Sequence, residues 1–298
     1  LLGAAGFGAP RHIEAIYSVG GELCCACDKS DSVGVLDRRF PHCQFFLSEN
    51  ELEGYVDERK KSKTPDIDFL SVCTPNYLHF SHIAFGLSHG MNVICEKPLV
   101  LTSNELFRLQ ELEKQFGKKV FCILQLRLHP QIQKLKTRVE DLFAGDMQRS
   151  KLQVSLNYVT SRGPWYKKSW KFDESKSGGI ASNIGIHFFD MLIRLFGYPT
   201  SFSIKENDPE CLKGTLDCPL AQIEFCLSIR QKDLPLEVKN SDQRSWRQMM
   251  IDGEPFDFTN GFTDLHTNSY EEILAGRGFE LQEALPAVSL CESIRRTK

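Results

Sequence analysis

The sequence has 298 residues, which is long enough for two ordinary domains or for one α/β domain with a large extension. Hydrophobic residues make up 41% and charged residues 25% of the chain, a balance that argues against intrinsic disorder. Charges interrupt the apolar stretches well before the roughly 20 residues that a membrane span needs, so no membrane partner is expected. The formal net charge of −3 gives no broad basic field, so no nucleic-acid partner is expected either.

The eleven cysteines indicate a reducing, cytoplasmic setting. Most of them lie in apolar runs, where a free thiol packs as a small hydrophobic side chain. Cys24 and Cys27 have the spacing of a redox pair or of half a zinc site, but no second pair of this kind follows. We therefore predict structural thiols and no metal ion.

The first part of the chain alternates short apolar runs with helical segments, which is the pattern of βαβ units and a parallel sheet. A first strand ends at Leu1-Leu2, and further strands are predicted over 22–26, 67–73, 91–95 and 119–125. Helices are predicted to begin near Pro10 and at Asn76. Another helix begins after the capping box Thr102-x-x-Glu105 and ends near Gly117.

After about residue 130 the pattern changes to strands in series. Segments 151–160, 200–205, 221–230 and 248–258 alternate polar and apolar residues, which favours a largely antiparallel sheet. One strongly apolar helix is predicted over 180–196. The predicted architecture is a doubly wound parallel α/β domain over 1–125, followed by an α+β domain with a large, mostly antiparallel open sheet over 126–298.

A turn rich in small residues, Gly3-Ala4-Ala5-Gly6-Phe7-Gly8-Ala9, follows the first strand and leads into a helix. Such a turn lets the backbone approach a pyrophosphate, although any tight βα turn also favours glycine and the strict G-x-G-x-x-G spacing is absent. Asp28 ends the second strand, where a carboxylate accepts hydrogen bonds from the adenosine ribose and repels a 2′-phosphate. This favours NAD over NADP as the cofactor. The alternative is an exposed Asp that caps its own turn.

Lys97 directly follows a predicted parallel strand, in Cys95-Glu96-Lys97-Pro98-Leu99. Parallel sheets present side chains to a ligand at this position, and an ammonium there can stabilise charge as a carbonyl and an alkoxide interconvert. The alternative is a solvated surface lysine.

Asn183, His187 and Asp190 fall on one face of the apolar helix if it is helical from about residue 180. Because unpaired buried polar groups are costly, this face needs a partner or a wet cleft. His187 is therefore a candidate general base. A core histidine bonded to Asp190 or to a carbonyl is the alternative.

Together these segments resemble the glucose–fructose oxidoreductase and inositol dehydrogenase family (Gfo/Idh/MocA). The resemblance spans nearly the whole chain, and within the family the sequence is most similar to the UDP-N-acetylglucosaminuronate 3-dehydrogenases of bacterial O-antigen synthesis. The segments that carry it are the small-residue turn with His12, Thr74-Pro75-Asn76 with His79, Glu96-Lys97-Pro98, Arg127-x-His129-Pro130, Tyr158-Val159-Thr160-Ser161-Arg162-Gly163, Trp170 and Lys176-Ser177-Gly178-Gly179-Ile180 with the helix that follows.

The resemblance implies a Rossmann domain, a homo-oligomer and an NAD-dependent oxidation of a sugar C3 hydroxyl. Lys97 would hold the reacting oxygen and His187 would take its proton. The residues implied at the cofactor are Gly6, Phe7, Asp28, Thr74, Pro75, Asn76, His79, Glu96, Lys97 and Gln125. Many family members have Asp where Asn183 stands, so a role for negative charge there does not carry over.

An anionic UDP-sugar needs cationic and N–H donors, which the basic run from Arg162 to Lys176 can provide together with Ser177 and Asn183. A solvated loop is the alternative for that run. We expect His82 and His89 to be structural, and the sequence does not place Asp264 or His266.

Two other functions stay open: a related dehydrogenase of a free sugar or inositol, and a non-catalytic dinucleotide-binding regulator. The presence of both Lys97 and His187 disfavours the regulator. A homotetramer is expected because one face of the predicted sheet would be apolar and need cover.

Overall fold

The computed structural model describes residues 1–62, 64–145, 149–241 and 243–297. The chain divides into two compact units: Leu1–Gln125 with Asp264–Leu285, and Leu126–Thr263 with Pro286–Lys298. The division predicted from the sequence assigns everything after residue 125 to the second domain, whereas the structure assigns Asp264–Leu285 to the first unit. No local pattern in that segment marks it as part of a βαβ unit, because its place is set by tertiary packing.

Parallel strands form the centre of the first unit. They are β1 (Cys25–Cys27), β2 (Gln44–Phe46), β3 (Phe69–Val72), β4 (Asn92–Cys95) and β5 (Val120–Cys122). β1 pairs with β2, and β3 pairs with β4, which pairs with β5, all in parallel. Leu2 makes parallel bridges to Cys27 and to Val72, so the N-terminal residues join the two groups into one sheet. The predicted parallel α/β architecture is confirmed.

The helices of this part of the chain include α1 (Ala9–Ser18), α2 (Glu49–Lys61), α3 (His79–Ser88) and α4 (Ser103–Phe116). The predicted capping box starts α4: Glu105 N–H donates to Thr102 Oγ1 at 3.2 Å, and Thr102 N–H donates to Glu105 Oε2 at 3.0 Å. Gly117, with φ of 64°, ends α4 as predicted. β2 and α2 have no counterpart in the sequence prediction.

A six-stranded sheet forms the centre of the second unit. Its strands are β6 (Leu152–Thr160), β7 (Ser201–Asp208), β8 (Cys211–Asp217), β9 (Ala221–Ser228), β10 (Ser245–Ile251) and β11 (Glu254–Phe256), in the order β11-β10-β6-β9-β8-β7. Only the β6–β9 pair is parallel, so the predicted, mostly antiparallel sheet is confirmed. β8 was not predicted, and segment 248–258 is a hairpin rather than one strand.

The two faces of this sheet differ in polarity. Val154, Ile223 and Phe225 belong to the buried face, whereas the other face carries mostly polar groups such as the exposed Gln222 and the ion pair between Lys205 and Glu224. The expectation of an apolar outer face that needs cover is therefore wrong, because polar residues alternate with the core residues along the strands.

Helices cover the buried face of the sheet. In chain order this unit has α5 (Pro130–Ala144), α6 (Glu174–Ser177), α7 (Ile186–Phe196) and α8 (Leu236–Lys239). Phe189 of α7 packs edge-on against Phe225, with ring centroids 5.2 Å apart. A π-helical turn, Ala181–Gly185, precedes α7, so the predicted helix over 180–196 is not regular throughout.

Two further helices, α9 (Leu265–Leu274) and α10 (Leu281–Arg296), complete the described chain, and neither was predicted. Among the described residues, no helix is both long enough and apolar enough to span a bilayer.

Candidate active site

The glycine turn of the first unit requires small residues because it lies against the backbone directly after β3. A Cβ on Gly3 would stand 2.7 Å from the carbonyl carbon of Cys73, and one on Gly6 would stand 2.9 Å from the Cys73 oxygen. Gly3 also has φ of 85°, a conformation that glycine adopts without strain. The turn leads directly into α1, while the ring of Phe7 is 79% exposed. A cradle that a Cβ would fill, at the start of a helix, fits the pyrophosphate of a dinucleotide.

Asp28 ties the end of β1 to this turn. Its Oδ2 accepts a hydrogen bond from Ala5 N–H at 3.0 Å, and its Oδ1 accepts one from Ser30 N–H at 2.9 Å. Asp28 therefore does cap its own turn, which was the alternative considered from the sequence. Each carboxylate oxygen can accept a further bond, so capping is compatible with binding ribose hydroxyls.

The predicted residues Thr74, Lys97 and Gln125 follow three neighbouring parallel strands, β3, β4 and β5. The carboxyl ends of parallel strands form one edge of the sheet, which is where such sheets bind ligands. All three residues are half-buried, and Pro75 beside Thr74 is half-buried as well. The first unit therefore gathers the predicted cofactor residues at one edge.

His79 lies behind this edge. It is fully buried, and its ring nitrogens lie 2.7 Å from the Pro98 carbonyl oxygen and 2.8 Å from the Thr74 carbonyl oxygen. Burial lowers the pKa of His79, which these hydrogen bonds oppose. Because both ring nitrogens lie against backbone carbonyl oxygens after β3 and β4, the structure gives His79 a positioning role, and its predicted contact with the cofactor stays a prediction. Asn76 is also buried.

His82 is structural, as expected. Its Nδ1 lies 2.8 Å from Thr74 Oγ1, and its Nε2 lies 3.1 Å from Glu49 Oε1. The ring therefore links α3 to α2 and holds the side chain of Thr74.

Glu96 is the centre of a cluster that the sequence did not reveal. Its Oε1 lies 3.2 Å from His12 Nε2 and 2.9 Å from His266 Nε2 on α9, while its Oε2 accepts a hydrogen bond from Lys97 N–H at 3.2 Å. Burial opposes ionisation of Glu96, but the hydrogen bonds from both histidines outweigh it, and the pKa of Glu96 lies well below its ordinary value. The segment Asp264-Leu265-His266 was the only signal that could have indicated His266.

His12, Glu96 and His266 also form a group whose ligand atoms all lie within 4.8 Å of one another, close enough to hold a metal ion. The contacts of 2.9 and 3.2 Å between their nitrogens and oxygen are ordinary hydrogen-bond lengths. Direct hydrogen bonds therefore explain the cluster.

In the second unit, His187 and Asn183 are more exposed than their neighbours along the chain. Every other residue from Ile180 to Leu192 is buried, while these two are half-exposed. Asn183 Nδ2 donates to Tyr166 Oη at 3.0 Å. The π-helical turn before His187 departs from the regular helical period, a feature frequent at functional sites. The structure thus leaves His187 accessible on an apolar helix.

Asp190 does not share that face. It is 3% exposed, and its carboxylate accepts hydrogen bonds from Arg127 Nε at 3.0 Å and Arg127 Nη2 at 2.7 Å. The predicted polar face of three residues is wrong at this position, because Asp190 points into the core toward Arg127. His187 itself is half-exposed, which disfavours the alternative of a core histidine.

The basic run divides into two groups. Lys167 pairs with Glu210 at 2.8 Å, and the exposed Lys176 pairs with Asp173 at 3.3 Å. The guanidinium carbon of Arg162 lies 5.7 Å from the centre of the Tyr166 ring, whose hydroxyl Asn183 contacts. The aromatic ring thus connects Arg162 to the accessible face of the helix, whereas Lys176 lies in a local surface pair.

Lys171 and Ser177 complete the run. Lys171 Nζ lies 5.8 Å from the Trp165 ring and 5.7 Å from the Trp170 ring, and burial, with Arg162, lowers the pKa of Lys171. Sequence reasoning did not single out Lys171 beyond its place in the run. Ser177 is fully buried and its Oγ accepts a hydrogen bond from Gly179 N–H at 3.0 Å, which gives it a local structural contact rather than an exposed one.

A glycine cradle before a helix, an acidic residue after the next strand and side chains at the carboxyl edge define a dinucleotide-binding α/β protein. Two family models match the chain: the oxidoreductase family NAD-binding Rossmann fold over residues 1–123, and the oxidoreductase family C-terminal alpha/beta domain over residues 151–231. The chain belongs to the Gfo/Idh/MocA oxidoreductase family, and its first unit contains the NAD-binding domain.

Solved structures with high similarity come from Thermus thermophilus. The chain is 41% identical, with a TM-score of 0.93, to the WlbA (WbpB) dehydrogenase in complex with NAD and α-ketoglutarate, covering 100% of this chain and 94% of that one. It is 40% identical, with a TM-score of 0.92, to the same dehydrogenase with NAD and UDP-GlcNAcA, covering 99% and 93%.

Among curated proteins, the D-glucoside 3-dehydrogenase of Escherichia coli is 27% identical over 185 residues, covering 61% of this chain and 51% of that protein. The chain spans about half the length of the first curated relatives that it matches.

Proposed function

We propose that this protein is an NAD-dependent dehydrogenase that oxidises the C3 hydroxyl of UDP-N-acetylglucosaminuronate to the 3-keto sugar, in O-antigen precursor synthesis. The observation that carries the proposal is the 40% identity, over 99% of the chain, to a dehydrogenase solved with NAD and UDP-GlcNAcA. The accessible His187 on an otherwise buried helical segment and Lys97 after β4 supply the chemistry that this oxidation requires.

The glycine turn, with Gly6 and Phe7, is proposed to hold the pyrophosphate of NAD, while Asp28 binds the adenosine ribose. The other proposed cofactor contacts come from Thr74, Pro75, Asn76, Glu96, Lys97 and Gln125, and His79 supports them from behind. Bound NAD supplies the hydride acceptor of the reaction.

Lys97 and His187 are proposed to act on the substrate itself. The Lys97 ammonium stabilises negative charge on the reacting oxygen, and the His187 imidazole takes the proton of the C3 hydroxyl. The carboxylate and diphosphate of the substrate require cationic groups, for which Arg162 beside Tyr166 is best placed, with Asn183 as a neutral hydrogen-bond partner.

Lys176 and Ser177 are weaker substrate candidates. Lys176 is engaged with Asp173, and Ser177 is buried against Gly179. Both are still close in sequence to the glycines that precede the His187 helix. We keep Lys176 as a proposed anion contact and assign Ser177 a role in shaping that turn.

The substrate is tested with a panel of UDP-N-acetylglucosaminuronate, UDP-N-acetylglucosamine, UDP-glucuronate and myo-inositol, each supplied with NAD. We expect a 3-keto product from the first compound only, and loss of the carboxylate should reduce kcat/KM by orders of magnitude because cationic groups would be left unpaired. Where NADH is released poorly, a 2-oxo acid and an aminotransferase are added, and the 3-amino product is measured. Preferential turnover of inositol would overturn the assignment.

A second candidate is a dehydrogenase of a free sugar, which the similarity to D-glucoside 3-dehydrogenase favours. The same panel, extended with a glucoside, distinguishes the two. Turnover of the glucoside without a nucleotide would select this candidate, while the proposed roles of Lys97 and His187 would stand.

We propose a cytoplasmic homo-oligomer, a tetramer by analogy with the family. All eleven cysteines are free, which suits a reducing compartment. The strands β7 and β11 end the order of the six-stranded sheet and offer edges for pairing between subunits. Light scattering at micromolar concentration tests the assembly, and a stable monomer would contradict it.

A further inference from the structure

Five side chains of the first unit form a continuous chain of hydrogen bonds, in which two histidines meet at Glu96. Ser71 Oγ lies 2.7 Å from Tyr270 Oη, and Tyr270 Oη lies 2.8 Å from His12 Nδ1. His12 Nε2 and His266 Nε2 then lie 3.2 and 2.9 Å from the same oxygen, Glu96 Oε1. The exposed fractions of Ser71, His12, His266 and Tyr270 are 6% or less, so water does not substitute freely for these bonds.

The direction of each bond follows from the chemistry of Glu96. An ionised carboxylate only accepts hydrogen bonds, so both histidines must carry their proton on Nε2. Burial lowers the pKa of His12, which favours its neutral form, and Nδ1 is then an acceptor. Tyr270 O–H therefore donates to His12 Nδ1, and Ser71 O–H donates to Tyr270 Oη.

The second oxygen of Glu96 faces Lys97. Because Oε1 takes both imidazole N–H groups, the carboxylate plane is fixed and Oε2 is left for Lys97 N–H, at 3.2 Å. His12, His266 and Tyr270 also pack together, with the His12 ring centre 5.2 Å from that of His266 and 5.7 Å from that of Tyr270. The orientation of Glu96 is thus set from two sides, by α1 and by α9.

We propose that His266 and Tyr270 on α9 are positioning residues for Lys97. His266 acts through Glu96, and Tyr270 acts through His12 and Glu96. The inference rests on the proposed catalytic role of Lys97. The segment Asp264–Leu285 has a function beyond packing: it supplies the donors that fix the carboxylate to which the Lys97 backbone is bonded. A small displacement of a catalytic group lowers turnover strongly even where the cofactor still binds, and this is the expected signature of the role.

The test compares two variants at His266 with one at Tyr270. His266→Ala removes the donor to Glu96, while His266→Gln places an amide N–H near the position of Nε2 and should restore most of the activity. Tyr270→Phe removes one hydroxyl and keeps the ring. For His266→Ala and Tyr270→Phe, we expect kcat to fall about 10- to 100-fold with the Kd for NAD changed less than about 3-fold.

The pH profile provides a readout that a purely structural role would not move. Loss of a donor makes the Glu96 carboxylate easier to protonate, so the acid limb of kcat should shift to higher pH in His266→Ala and return in His266→Gln. His89→Ala is the matched control, since His89 bonds the Phe85 carbonyl oxygen on α3, and its kcat and pH profile should equal those of the unmodified protein.

Lys97→Ala, measured in parallel, separates the failure of this inference from failure of the proposed function. Full turnover in Lys97→Ala would remove the catalytic role of Lys97 itself. If Lys97→Ala is inactive while His266→Ala and Tyr270→Phe keep the kcat of the unmodified protein, the positioning role is overturned and the catalytic role of Lys97 stands. A parallel loss of NAD binding and kcat would also overturn it, as would a stoichiometric metal ion in the purified protein that is lost in His266→Ala.

Discussion

Asp28 both caps the glycine turn and is the proposed discriminator between NAD and NADP. We expect NAD to bind more tightly than NADP to the unmodified protein, because the carboxylate repels a 2′-phosphate. Asp28→Ala should narrow the difference in affinity between NAD and NADP. It should also lower the free energy of unfolding by about 1 kcal/mol, since the N–H groups of Ala5 and Ser30 lose their acceptor. Fluorescence titration and urea unfolding measure the two effects.

Asp28→Asn is the control for this prediction, because the amide keeps one acceptor oxygen for the cap and loses the charge. Asp28→Asn should narrow the difference in affinity between NAD and NADP, and it should lower the free energy of unfolding less than Asp28→Ala does. Equal affinity of the unmodified protein for both cofactors would contradict the assignment.

Lys97 and His187 give the second prediction at the scale of single residues. Lys97→Ala and His187→Ala should each lower kcat by about 10²–10⁴-fold and change the Kd for NAD far less, because each removes a group that stabilises charge or takes a proton in the reaction. Steady-state kinetics and cofactor titration check this. Full turnover in His187→Ala would make His187 a packing residue. Lys114→Ala is the control, since Lys114 is exposed and pairs with Glu111 on the surface.

At the scale of elements, the sequence predicts what local chemistry determines. The capping box and Gly117 determine both ends of α4. Mostly apolar runs identify β3 and β4, because strands buried on both faces carry few polar side chains. The assumption of a regular helix over 180–196 failed at Ala181–Gly185, where a π-helical turn precedes α7. Asp190 lies within the regular part of α7, and only its tertiary contact with Arg127 reveals where the carboxylate points.

The same limit applies to the candidate site: the sequence indicates the residues that stand in local motifs. Lys97, Asp28 and His187 stand in motifs with a local signature, so the sequence indicates them. His266 lies 170 residues from Glu96 along the chain, and its role depends on a contact that no local pattern encodes. His79 had a recognisable place near the cofactor, but its burial and its two backbone contacts required the structure.

The ion pair between Arg127 and Asp190 links the short helix Gln125–Leu128 to α7 and gives a prediction for these elements. Both side chains are nearly buried, at 8% and 4% exposed, so loss of one partner leaves an uncompensated charge. Arg127→Met should lower the free energy of unfolding by about 3–5 kcal/mol. Urea unfolding measures this loss.

The double variant Arg127→Met with Asp190→Leu should be distinctly more stable than Arg127→Met alone, because neither charge is then buried without a partner. Lys114→Met serves as the surface control, since its pair with Glu111 is exposed and worth about 0–1 kcal/mol. An Arg127→Met protein as stable as the Lys114→Met control would show that water or another group compensates Asp190.

At the scale of the whole molecule, buried titratable groups determine how stability depends on pH. Burial lowers the pKa values of His12, His79, His82 and His129 below the ordinary value of 6.5. The unfolded chain therefore binds more protons than the native protein once the pH falls below about 6.5, and stability decreases as the solution becomes more acidic. The pKa of Glu96 is also depressed, so its contribution is present above about pH 4.5 and is lost below that value.

We therefore expect the free energy of unfolding, measured with urea between pH 8 and pH 4, to be level above about pH 7 and to fall toward pH 5 by up to about 1.4 kcal/mol per pH unit for each histidine that takes up a proton. His82→Gln should reduce that slope, because an amide can keep the bond to Glu49 without titrating. His42→Gln is the matched control, since His42 is exposed and its removal should leave the slope unchanged. A slope of zero between pH 7 and pH 5 would mean that these histidines bind protons equally well in the folded and unfolded chain, which their burial in the native protein opposes.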